Sequence, residues 1–153
     1  MAVVKELIRH GATFVAPIDS LPVREADGLP ICFDWLVLET IAANLALRPS
    51  PAGPRPAPMI IGVQHHKNEE QIPHQDRDMW EVVKQNQDLL VIENAGHWSM
   101  ASKRLELQAS HGDVLITLGG DEGVLHLANL YHEAGKPVIP LNLPLTHPRT
   151  EVP

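Results

Sequence analysis

The residues best suited to chemistry crowd into one segment, Asp113-Val-Leu-Ile-Thr-Leu-Gly-Gly-Asp-Glu-Gly-Val124. It reads as an apolar strand, a glycine turn and the start of a helix. Gly119, Gly120 and Gly123 bracket the point where strand becomes helix, and glycine there lets a ligand approach the main chain closely. The first amides of a helix lack partners within it and, with the helix dipole, form an anion site suited to a nucleotide phosphate. Asp121 and Glu122 would repel a phosphate. They suit ribose hydroxyls or a base amine, and equally the positive end of the helix dipole. The same glycines also satisfy a tight turn that binds nothing. Neither the dinucleotide fingerprint GxGxxG nor the P-loop is matched, since no GK[ST] follows.

Other candidates lie at the ends of expected strands. Arg104, on the helix before this segment, can hold a phosphate or stack on a base, or else belong with Lys103 to a solvated face. His65 follows one apolar strand. Glu93, His97 and Trp98 follow another, where a histidine can contact base or phosphate and an indole can stack or simply pack. Nine histidines and a single cysteine, Cys32, show no spacing of the HExxH or CxxC kind, so no metal site is expected. Ser99 and Ser102 read as helix-capping residues, and no GxSxG elbow occurs.

The elements that must position these residues alternate. A helix is expected over 3–10, with Val3, Val4, Leu7 and Ile8 on one stripe and Gly11 as its stop. A strand over 12–16, a turn at Asp27-Gly28 and a helix over 35–47 capped by Asp34 come next. Residues 49–58 hold five prolines in ten positions and read as a connector inside one domain. Strand 59–63, helix 77–86, strand 89–92, helix 99–111, strand 113–118, helix 123–134 closed by Gly135, and strand 137–141 complete the chain. Trp35 and Trp80 read as core. Five apolar strands alternating with helices predict an α/β fold: three layers, Rossmann-like, a mostly parallel sheet of about five strands with helices on both faces, in a single domain over 1–153. In such sheets ligands bind at the carboxyl ends of the strands. The chain opens on a helix where such sheets open on a strand, so that strand is expected either before Met1 or not at all.

The segment Ser99–Leu143 resembles the SLOG superfamily of Rossmann-like nucleotide-binding domains. The likeness rests on Arg104, on Leu118-Gly-Gly-Asp-Glu-Gly-Val124 and on Ala134-Gly-Lys-Pro-Val-Ile-Pro140. It is nearest to the STALD-type domains found beside TIR or sirtuin-like domains in bacterial antiphage systems. The LOG hydrolases of this superfamily carry Pro-Gly-Gly-x-Gly-Thr-x-x-Glu. On this chain the proline falls on Gly119, the second glycine on Asp121, the threonine on Val124 and the glutamate on Leu127. Leucine cannot activate water or stabilise an oxocarbenium-like transition state, so a LOG-like hydrolase is disfavoured. The resemblance implies a sensor of an NAD-derived nucleotide (NAD, ADP-ribose or a cyclic ADP-ribose isomer) with no resident cofactor. It would work as a homo-oligomer or with an effector such as a TIR-type partner domain. The alternative is a nucleotide-processing enzyme, an N-glycosidase or deoxyribosyltransferase, with Glu93 or His126 in the active role.

Composition bounds the rest. Twelve basic against nineteen acidic residues give a net charge of −7, which argues against nucleic acid and anionic membrane as partners. One cysteine excludes an internal disulfide and fits a reducing compartment. No apolar run approaches the roughly 20 residues that span a bilayer, so a cytoplasmic location is expected.

Overall fold

The computed structural model describes residues 2–19, 25–28, 33–49, 57–64, 71–86, 89–94, 100–118 and 122–141. Their order is α1 (Ala2–Arg9), β1 (Phe14–Pro17), α2 (Asp34–Ala43), β2 (Ile60–Gln64), α3 (Arg77–Gln85), β3 (Leu90–Asn94), α4 (Met100–His111), β4 (Leu115–Thr117), α5 (Glu122–Glu133) and β5 (Val138–Pro140). The fold is mixed α/β with parallel strands, as the alternation predicted. The strands form two sheets rather than one, β1-β2-β3 and β4-β5, every pair parallel. The chain divides into two compact units, Met1–Gly112 and Asp113–Pro153, with one sheet in each. No helix among the described residues is long and apolar enough to cross a membrane.

Local chemistry explains most boundaries. α1 ends in a Schellman motif: Ala12 N–H donates to Leu7 O and Gly11 N–H to Ile8 O, with Gly11 at φ 75°. α5 ends the same way, with Lys136 N–H on Tyr131 O, Gly135 N–H on His132 O and Gly135 at φ 70°. Two expectations shift. Asp34 is not the N-cap of α2. Phe33 holds that position without a side-chain cap, and Asp34 is the first helical residue, where its carboxylate still complements the dipole. The helix expected to reach residue 47 ends at Ala43, and Leu45–Leu47 tightens into a 3₁₀ turn.

Strand register separates two faces of the first sheet. Phe14, Ile60 and Leu90 lie side by side, as do Ala16, Gly62 and Ile92. This face meets α1, α2 and α3 in a core built on Val4, Ile8, Ile18, Trp35, Leu38, Ile41, Met59, Ile72, Trp80 and Val83. Within α1 the stripe narrows to Val4 and Ile8, one turn apart, while Val3 is exposed. The opposite face carries Val15, Ile61, Val63, Val91 and Glu93. There α4 packs on β1 and β2, leaving Val63 fully buried and Val91 exposed.

Gly62 sits where the core leaves no room. A Cβ built on it would meet Ile18 Cγ1 at 3.0 Å. Gly62→Val is therefore expected to cost about 1–3 kcal/mol by overpacking, read as a lower urea midpoint. An unchanged midpoint would contradict the packing described.

Candidate functional site

Three parallel strands bring their carboxyl ends together, with Pro17, Val63 and Glu93 in register there. The chain must return from each carboxyl end to the amino end of the next strand. That places the starts of α2 and α3 at this edge, the arrangement in which α/β sheets bind ligands. Asp19, two residues past β1, is fixed through its main chain: Trp35 Nε1–H donates to Asp19 O at 2.9 Å. The preceding Ile18 N–H bonds Val63 O at 3.0 Å.

On the α4 face, Arg104 Nη1 donates to Asp19 Oδ2 at 2.7 Å, with side-chain exposures of 22% and 34%. At the carboxyl end of the helix, His111 Nε2 lies 3.7 Å from Glu93 Oε1. Seven residues separate Arg104 from His111, about 10 Å along a helix. Two strand spacings measure about 9.6 Å. α4 therefore crosses the strands rather than running along one of them, packing on β1 and β2 and reaching Glu93 on β3 through His111.

The opposite face holds a second polar group. Among the described residues, three buried side-chain atoms lack a hydrogen-bond partner: Gln64 Oε1, Asp76 Oδ2 and Trp80 Nε1. All belong to the stretch from the end of β2 into α3. Trp80 meets Trp35 edge-on, ring centroids 6.2 Å apart. One turn away on each helix, the Asp76 carboxyl hydrogen-bonds the Glu39 side chain. Two carboxylates cannot bond unless one carries a proton. Burial raises the Asp76 carboxyl from 3.8 to about 7, and the Glu39 hydrogen bond and charge add to the shift. Burial is the larger cause, since Asp76 is only 2% exposed.

In the second unit, Glu122 and Gly123 open α5 exposed and Val124 is partly buried. Leu127 is buried and His126 exposed. Leucine at this position thus serves packing. Burial raises the Tyr131 hydroxyl above its usual range, and Asp113 adds to this. Lys136 Nζ lies 5.7 Å from the Tyr131 ring centroid.

Of the residues singled out from sequence, Arg104 and Glu93 are both at the α4 face, each against a charged or titratable partner. Gly119, Gly120, Asp121, His65, His97 and Trp98 lie outside the described residues, as does Ser99. Sequence reasoning passed over Asp19, Glu39, Gln64 and Asp76. Asp19 carried a usable signal, a carboxylate just beyond an apolar strand. Asp76 carried none, because His74-Gln-Asp-Arg-Asp78 has the polarity of an ordinary solvated helix start. No group of three or more His, Cys, Asp or Glu suited to a metal occurs among the described residues.

The family model described as "ATP nucleosidase Cap17-like, N-terminal" matches residues 1–151. No curated protein matches the chain, and no solved structure does.

Proposed function

The chain belongs to the Cap17-like N-terminal family of ATP nucleosidases, and on that premise we propose that it is a nucleotide-sensing domain of the SLOG type. Its ligand is an adenine nucleotide of the NAD-derived class, cyclic ADP-ribose or a relative. The carrying observation is Arg104, whose side chain is about three-quarters buried and whose guanidinium meets Asp19 at the carboxyl edge of a parallel sheet, in a chain of net charge −7. Arginine is the side chain best matched to phosphate oxygens. In the second unit, the main-chain amides of the Gly119–Val124 turn are proposed as an anion-binding nest, with Asp121 and Glu122 for hydroxyls or a base amine. Glu93, His65, His97 and Trp98 are kept as ligand contacts. Occupancy would set self-association or drive an effector, in a bacterial antiviral setting and in the cytoplasm.

Titration of the chain with ATP, NAD, ADP-ribose, cyclic ADP-ribose and AMP tests this. A true ligand at about 100 times its dissociation constant adds roughly 2.7 kcal/mol of stability and is recovered intact by chromatography. A panel that shifts no melting curve removes the sensing proposal.

A second reading is a nucleotide-processing enzyme that opens an N-glycosidic bond. One observation favours it: the Glu39–Asp76 pair keeps a carboxyl protonated near neutrality, the state a general acid requires. Its burial counts against it, since a general acid must reach its substrate. Consumption of any panel member at a catalytic rate would favour the enzyme over the sensor.

A further inference from the structure

Resting on the proposal that Arg104 receives the ligand's phosphate, a second residue acquires a role. Arg104 already holds a carboxylate, Asp19 Oδ2 at 2.7 Å. An arriving anion must share that guanidinium with Asp19 or displace it, and two anions close together around one cation repel. Asp19 cannot step aside through its main chain, because its carbonyl is fixed by the Trp35 indole and its predecessor by Val63 O. Trp35 is itself 2% exposed. Rotation of either side chain breaks the pair, and either way the Asp19 carboxylate loses the Arg104 guanidinium.

We propose that Asp19 is a resident competitor for Arg104, a carboxylate that any phosphate ligand must displace or share with, so that only a ligand with enough binding energy of its own occupies this edge. The displacement opposes every anion alike. Inorganic phosphate and AMP bring one phosphate group to offset it. A di- or triphosphate brings further charge and further oxygens to the same cation. Asp19 thereby acts as a threshold that keeps abundant small anions out.

The test compares the full chain with Asp19→Asn, which keeps shape and loses charge, and with Asp19→Ser as a second variant should the first fold poorly. Binding of ATP, AMP and inorganic phosphate is measured calorimetrically at fixed ionic strength, with Arg104→Gln alongside. Without the carboxylate, AMP and phosphate should bind about fivefold tighter, the scale of one partly exposed ion pair. ATP should gain by about the same factor, so that the ATP-to-AMP preference is kept while every affinity rises. If Asp19→Asn leaves the affinities for ATP, AMP and phosphate unchanged while Arg104→Gln weakens ATP, the threshold is refuted and the phosphate site stands. If Arg104→Gln binds ATP as the parent chain does, the phosphate reading fails and the threshold falls with it.

Discussion

Asp76→Asn is expected to melt several degrees above the parent chain at pH 8 and together with it near pH 4. The Asp76 carboxyl ordinarily titrates at 3.8 and in the folded chain at about 7. Below pH 4 both folded and unfolded chains hold the proton, and the group contributes nothing. Between pH 4 and 7 the unfolded chain releases it while the folded chain keeps it, so stability falls as pH rises. Above pH 7 the loss is complete, on the order of 4 kcal/mol at most for a shift of this size. Asparagine cannot ionise, retains the shape and can donate to Glu39. Melting curves from pH 4 to 8.5 should therefore diverge upward through neutrality. Parallel curves would show that Asp76 does not carry the proton in the folded chain. Glu39→Gln should act in the same direction and less strongly, since burial outweighs Glu39 among the causes.

Trp35→Ala should produce the largest loss of stability of any single truncation in the first unit. Trp35 is 2% exposed, meets Trp80 edge-on and donates to Asp19 O. Removing so large a buried ring typically costs about 3–5 kcal/mol, with aromatic pairing adding about 1. Trp35→Phe separates the parts. It keeps most of the packing and loses the indole N–H, so about 1 kcal/mol is expected from the hydrogen bond. Urea unfolding of both variants reads this directly. A loss below about 1 kcal/mol for alanine would be incompatible with the core described.

Sequence reading reached the parts of this molecule that one element can announce by itself. Val4 and Ile8 mark the inward stripe of α1. Met59–Val63 betray a strand covered on both faces by having almost no polar residue. Gly11 and Gly135 mark helix ends because only a left-handed residue closes a Schellman motif without strain. Trp35 and Trp80 were legible as core from size and helical position.

What stayed hidden depends on pairs distant in the chain. Arg104 and Asp19 are 85 positions apart, and their meeting follows from the register of the strands and the crossing of α4, neither written in local periodicity. Asp76 sits in polar surroundings of sequence and Glu39 in an apolar helix, and only the packing of α2 on α3 removes Asp76 from water. The division of the strands into two sheets was invisible for the same reason. Alternation predicts parallel strands and says nothing of which ladders form between them.

The meeting of Trp35 with Trp80 makes the protein its own optical gauge. Two of its three indoles share one dry contact, 6.2 Å between ring centres, and excitation passes readily between rings that near. Emission from this pair is sheltered and blue-shifted while α2 and α3 stay together, and it reddens once water reaches the rings. Light from the folded chain thus reports on the same helix junction that stores the carboxyl proton.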